Sequence, residues 1–186
     1  MTIKSICVYC GSQPGKDPAF VESANILGKA MANAGITLVY GGGDRGIMGA
    51  VSKAVRDNGG TIQGIIPEFL LSKEANYEMS VSNEEIVIVE SMHERKQKMF
   101  ELSDAFIALP GGIGTLEEIV EIMTWAQLDR HSKPMCFLNV QGFWNPMLEL
   151  FNHMNEAGFI HTAEKVMPIV IEDANNAIAT INQASA

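Results

Sequence analysis

The chain is poor in positive charge: 13 Lys and Arg against 22 Asp and Glu leave a net charge of −9. That balance disfavours binding to a nucleic-acid polymer, which needs a basic face, but leaves room for a local basic pocket holding one small anion. Cysteine is also sparse, three in 186 residues, and an odd number builds no disulfide framework. No run of roughly eighteen apolar residues occurs, so no membrane span is expected. The opening MTIKSICVYCGSQPG has too short an apolar run for a secretory leader, and a reduced, cytoplasmic protein is the plain expectation. A Walker loop would need Gly-Lys-Ser/Thr and a hydrolase elbow G-x-S-x-G; the chain has neither.

A composition of 47% hydrophobic and 19% charged residues excludes a disordered tail, a collagen-like repeat and a coiled coil. A single domain over residues 1–186 is expected, long enough to bury a full core. Short apolar runs alternate with segments of helical period. The candidate strands are Lys4–Tyr9, Ile36–Tyr40, Thr61–Ile66, Ile86–Val89, Ala105–Leu109, Met135–Val140 and Val166–Ile171. Most are continuously apolar, as strands covered on both faces tend to be. Helices are expected near Pro18–Asn33, Ile47–Asp57, Met92–Leu102, Leu116–Leu128, Pro146–Glu156 and Ala174–Asn182. Asp17-Pro18 and Asn145-Pro146 each offer an N-cap followed by proline, and Ser91 with Glu94 reads as a capping box. Such alternation implies an α/β fold: a three-layer α-β-α, Rossmann-like, doubly wound and mainly parallel sheet of about seven strands. Ligands of such sheets bind beyond the carboxyl ends of the strands, and two glycine clusters stand there.

The first cluster, Gly41-Gly42-Gly43-Asp44-Arg45-Gly46-Ile47-Met48-Gly49, contains G-x-G-x-x-G between a strand and a helix. Glu68 lies about where a dinucleotide site places its ribose-binding acid. The plainer alternative is a tight turn that needs positive φ. The second cluster is Pro110-Gly111-Gly112-Ile113-Gly114-Thr115-Leu116-Glu117-Glu118. Side-chain-free residues there expose backbone N–H groups just before a helix, a suitable cradle for a phosphate. Thr115 can add a hydroxyl donor; a glycine turn with an ordinary cap is again the alternative. Two such loops at one sheet edge favour a phosphate-bearing ligand.

In the helix expected from Leu116, the residues Leu116, Ile119, Val120, Met123 and Gln127 share one face. Glu118 is expected nearly opposite, in line with Ile122 and Trp125. A helix apolar on two sides usually meets a second partner, and another subunit is the simplest one. Glu118 is either a first-turn acid complementing the helix dipole or a carboxylate inside a pocket. Arg95 falls on the stripe Met92, Arg95, Met99, Leu102, which puts a guanidinium among apolar neighbours. It requires an anionic partner there, Glu118 or a ligand phosphate, unless its tip snorkels to water. Cys7 and Cys10 form C-x-x-C on a strand, where they point to opposite faces. His93, His131, His153 and His161 show no metal-ligand spacing.

Pro110–Glu118 reads as P-G-G-x-G-T-x-x-E, and Arg95–Lys98 as R-x-x-K after Met92-His93. In this pairing the chain resembles the LONELY GUY (LOG) family of cytokinin riboside 5′-monophosphate phosphoribohydrolases, often mislabelled lysine decarboxylases. The similarity runs from Cys10-Gly11-Ser12 through Gly41–Gly49 to Trp125-Ala126-Gln127-Leu128 and Leu138–Phe143. It implies cleavage of a nucleoside 5′-monophosphate into free base and ribose 5-phosphate, with no metal or other cofactor, by a homodimer. It implies Arg95 and Glu118 as the catalytic pair and Gly112, Ile113, Gly114 and Thr115 as the phosphate holders. Glu74, Lys96 and Thr124 would contact the nucleotide, in a site completed by Gly11, Ser12, Gly42, Gly43 and Met92, with Pro110, Gly111 and Glu117. The segment Leu71–Asn83 looks unlike the usual family loop. Pyridoxal chemistry would need a Schiff-base lysine with a partner for the pyridine nitrogen, an arrangement this sequence does not offer.

Three functions follow from these residues. The first is the nucleotide hydrolase, working through an oxocarbenium-like state. The second is a module that binds a nucleotide or nucleotide-like cofactor without turning it over. The third is a dinucleotide oxidoreductase using Gly41–Gly46.

Overall fold

The computed structural model describes residues 2–71, 84–160 and 162–185. Strands β1 (Ser5–Tyr9), β2 (Thr37–Tyr40), β3 (Ile62–Pro67), β4 (Glu84–Val89), β5 (Ala105–Ala108), β6 (Met135–Leu138) and β7 (Ile169–Ile171) form one sheet. The helices are α1 (Pro18–Asn33), α2 (Gly46–Asp57), α3 (Met92–Glu101), α4 (Ile113–Gln127), α5 (Asn145–Glu156), α6 (Ala163–Val166) and α7 (Ala177–Ala184). The strand order is β4-β3-β2-β1-β5-β6-β7, and every pair is parallel. The chain therefore winds outward from β1 to β4, then crosses back to lay β5 against the other side of β1. That reversal opens a crevice above the carboxyl ends of β1 and β5, the usual ligand position in doubly wound sheets.

Alternation along each strand feeds two apolar cores. Ile6, Val8, Leu38 and Tyr40 pack with Leu27 and Met31 of α1 and Val51 and Val55 of α2. Cys7, Tyr9, Val39 and Phe106 face the other way, against Met99 of α3, Ile119 and Ile122 of α4 and Phe151 of α5. Cys7 and Cys10 thus lie on opposite faces, as period-2 geometry requires.

Side-chain caps set the starts of two helices, α1 and α3. Asp17 caps α1 by accepting from the Ala19 N–H at 2.9 Å, with Pro18 in the first turn. Ser91 caps α3 through the Glu94 N–H, but the Glu94 carboxylate reaches back to the Glu90 N–H rather than to Ser91, so the expected box is displaced by one residue. Asn145 is not the cap of α5: the helix already includes it, Trp144 precedes it, and its side chain accepts instead from Asn139 Nδ2 at 2.8 Å. The expected last strand divides into α6 and the short β7, because Pro168 between them has no N–H to give to the ladder.

His131 ties the end of α4 to the β6 side of the fold. Its Nδ1 accepts from the Lys133 N–H at 3.1 Å, so the proton sits on Nε2, 2.9 Å from the Ile122 carbonyl. The ring also meets Phe100 and Phe106 edge-on. Burial holds its pKa below the ordinary histidine value; the Ile122 bond opposes this and the Lys133 charge adds to it. A depressed folded pKa means that the unfolded chain takes up the proton first. The stabilisation is therefore complete above the unfolded value, about 6.5, and is lost as pH falls through the folded one. Thermal melts from pH 7.5 to 5.5 should show the midpoint dropping by a few degrees, and His131→Gln should flatten that slope. A wild-type midpoint constant over this range would remove the assignment.

Candidate active site

The site is assembled where β1 and β5 end. The Gly11 N–H donates to the Pro110 carbonyl at 3.1 Å, while the Gly11 carbonyl accepts from Ile47 and Met48 at 3.1 and 3.2 Å. One glycine thereby joins the β1 loop, the β5 loop and the first turn of α2. Helix α4 begins at Ile113, three residues earlier than the apolar period suggests, so the glycine loop is itself the helix N-terminus. Its N-cap is Gly112, which has no side chain to accept from the first-turn amides. Those amides and the positive end of the helix dipole point at the crevice. Thr115 is buried over Gly111, where an added Cβ would stand 2.1 Å from the Thr115 hydroxyl oxygen. Only glycine admits that approach.

Arg95 is 94% buried, since only 6% of its surface is exposed. Snorkelling is thereby excluded. Its Nη2 donates to the Gly41 carbonyl at 3.2 Å and its Nη1 lies 3.8 Å from the Met92 sulfur. Its Nε is buried with no hydrogen-bond partner. Leaving such a donor desolvated costs about 1–3 kcal/mol, and more on a charged group, unless a ligand supplies the acceptor. The guanidinium occupies the space a side chain at position 41 would need: a Cβ there would lie 1.9 Å from Nη2. The glycine that opens the G-x-G-x-x-G run therefore makes room for an arginine, not for a pyrophosphate. The loop follows β2 rather than the first strand, and Glu68 is exposed in a 3-10 turn after β3.

Glu118 does not point away from the core side of α4. The buried stripe is Thr115, Glu118, Ile119, Ile122, Met123 and Ala126, while Leu116 and Val120 are only half-buried and Gln127 is exposed. Glu118 thus lies on the inner edge, at the top of the stripe where the core opens into the crevice. The negative charge of Glu118 is felt by both β1 thiols. Burial, then Glu118, raises the pKa of Cys10, and the same two causes raise that of Cys7 while Arg95 opposes them.

Arg95 and Glu118 line one cavity of about 340 Å³. Gly11, Ser12, Met92, Gly112, Ile113, Gly114, Thr115 and Glu117 are in its wall, as expected. Gly42 and Gly43 are buried but lie outside the wall. Pro110 and Gly111 instead line an adjoining, mostly apolar cavity of about 290 Å³ with Phe20 and Phe143, sharing Gly11, Ser12 and Gly112 with the first. Lys96 donates to Glu117 at 2.5 Å and Glu121 at 3.1 Å, and Thr124, exposed, donates to the Val120 carbonyl. Glu74 lies outside the described residues. The wall also holds Val8, Cys10, Gly41, Met48, Leu70 and Met99, which the expected site did not include. Met99 stands on the stripe that singled out Arg95, and Gly41 is the first residue after its strand; nothing in the sequence marks Leu70.

The family model described as "Possible lysine decarboxylase" matches residues 48–181. A probable cytokinin riboside 5′-monophosphate phosphoribohydrolase of Oryza sativa subsp. japonica is 44% identical over 184 residues, covering 99% of this chain and 79% of that protein. A cytokinin riboside 5′-monophosphate phosphoribohydrolase of Rhodococcoides fascians is 42% identical over 181 residues, covering 97% and 90%. Among solved structures, the molybdenum cofactor carrier protein of Chlamydomonas reinhardtii superposes with a TM-score of 0.72 over 99% of both chains at 22% identity, a likeness of fold alone. With near-full-length relatives of one description, the chain belongs to the LOG family of cytokinin riboside 5′-monophosphate phosphoribohydrolases, the family whose model is described as "Possible lysine decarboxylase".

Proposed function

We propose that this protein hydrolyses the N-glycosidic bond of a nucleoside 5′-monophosphate, AMP or a cytokinin riboside 5′-monophosphate, to free base and ribose 5-phosphate. The observation that carries the reading is the buried guanidinium of Arg95, with one donor unpartnered, in the same cavity as Glu118 and the open N-terminus of α4. The amides of residues 112–115 and the Thr115 hydroxyl take the phosphate. Phosphate binding then anchors the sugar so that its anomeric carbon comes to Glu118. As the bond to the base breaks, positive charge grows on the ribose, and a carboxylate beside it stabilises that charge and orients or deprotonates the attacking water. Arg95 supplies its free N–H to the substrate and sets the position of Glu118. Residues 1–186 act in this reading as one domain.

A homodimer completes the proposal. Helix α4 keeps apolar groups outside the core: Ile113 at its start is 81% exposed, and Leu128, just past its end, 65%. A second copy is the simplest cover for such a face. No helix among the described residues is long and apolar enough to cross a membrane. A cytoplasmic setting accords with three buried, free cysteines.

Incubation with AMP and, separately, isopentenyladenosine 5′-monophosphate should release free base, measured by chromatography. Glu118→Gln should bind AMP normally yet lose about 10²-fold or more in rate, the usual range for removing an acid–base group. Full rate in that variant would sink its assignment. Bound nucleotide without base release by the wild type would favour the binding module. Gly41→Ala should lower kcat/KM by at least tenfold while the chain still folds, because the methyl group displaces the Arg95 guanidinium; an unchanged kcat/KM would show that the close approach carries no function. Light scattering should return the mass of two chains, and a monomer would remove the dimer.

A further inference from the structure

Lys96 follows Arg95 in α3, and Glu117 precedes Glu118 in α4. One residue along a helix is a turn of about 100°, so each neighbour faces elsewhere than into the cavity centre. Arg95 turns to β2 and the cavity, whereas Lys96 turns to α4. Only 8% of Lys96 is exposed, which is unusual for a lysine, whose ammonium normally reaches water along an apolar stem. Here the ammonium stops at two carboxylates one helical turn apart, Glu117 and Glu121. Burial works against its charge, and the hydrogen bonds to Glu117 and Glu121 outweigh burial, so its pKa stands above the ordinary lysine value. Without that ammonium, three carboxylates, Glu117, Glu118 and Glu121, would crowd the first turns of α4 beside an anion cradle.

We propose that Lys96 is a positioning residue that clamps α3 to α4 through Glu117 and Glu121, fixing Arg95 against Glu118, and that it neutralises Glu117 at the cavity wall so that a phosphate can enter. The inference rests on the hydrolase reading above and gives Lys96 a role through carboxylates rather than through the nucleotide. An ordinary surface ion pair would contribute little. This one differs because its cation is buried and each end sits one residue from a group proposed to act on substrate.

The test uses a double-mutant cycle on the full chain: wild type, Lys96→Met, Glu117→Gln/Glu121→Gln, and the triple variant, with Lys96→Arg as the conservative control. Base release from AMP gives kcat and KM. Lys96→Met should lower kcat about tenfold and raise KM severalfold, and the triple variant should be no worse, because the clamp is already broken. Lys96→Arg, which keeps the charge and the donors, should recover most of the rate. The carboxylates are more exposed than the lysine, so the glutamine arm should keep its fold even if Lys96→Met does not, and it should show the same fall in kcat. Multiplicative effects in the triple variant would mean that Lys96 touches the substrate directly and would overturn the proposal. So would kcat and KM within twofold of wild type in Lys96→Met. If the wild type itself releases no base, the hydrolase reading fails separately. The clamp is then read from thermal midpoints of the same four proteins, where non-additive losses support it and additive losses overturn it.

Discussion

The site depends on a guanidinium held below the surface by the backbone of a neighbouring strand end. Arg95 reaches across from α3 to the Gly41 carbonyl at the end of β2, through space that exists only because position 41 has no side chain. A buried charge is costly unless all its donors are met, and here Nε is not. The fold sustains it because α3 is fixed from several directions. Met99 is locked in the core below, Ser91 caps the helix above, and Lys96 binds it sideways to α4. The free Nε is what remains uncompensated, on a residue that lines the cavity. Under the proposed reading, substrate binding relieves a cost that folding has already incurred, which is how a rigid site gains affinity without rearrangement.

Sheet order explains why residues so distant in sequence meet. Because the chain reverses direction at β1 and β5, the loops after those strands leave the sheet side by side, and Gly11 fastens one to the other through Pro110. The loop after β2 then lies one strand over, close enough for Gly41 to serve Arg95. Four separate stretches of chain thus converge with backbone hydrogen bonds as their main fixings. Such bonds tolerate little displacement, and so the glycines concentrate where two backbones must nearly touch.

Much of this was legible in the sequence, for physical reasons. Apolar runs and helical periods report burial directly, and they placed all seven strands and every flanking helix but the short α6 within a few residues. Arg95 was visible because a charge on an apolar stripe contradicts its surroundings. The facing of Glu118 was not legible: α4 carries Leu116, Ile119, Val120, Ile122, Met123 and Trp125, and such a helix has more than one apolar stripe. Periodicity cannot say which of them meets the sheet. Nor could it show that the glycine loop had already become helix, since glycine carries no helical signal of its own. Lys96 illustrates the limit further. A sequence displays its charge, but its two carboxylates lie on another helix, twenty or more positions along the chain. Leu70 entered the cavity wall from the end of β3 with no local mark at all.

The scarcity of positive charge acquires a meaning in this site. A phosphate pocket built from lysines would surround Glu118 with cations and draw its charge away from the ribose. In the proposed reading the anion is met by backbone amides and a helix dipole, which carry partial rather than full charges. Among the described residues Arg95 is the one buried cation with a donor to spare in the cavity wall, and Lys96 is already taken by Glu117 and Glu121. No lysine is among the described residues of the cavity wall, so none competes there with the ribose for the carboxylate's charge. In the proposed chemistry that charge is needed at the moment the base departs and the ribose becomes oxocarbenium-like. On this view the glycine loop does more than hold substrate: by binding an anion without lysines, it preserves the electrostatics on which the proposed chemistry depends.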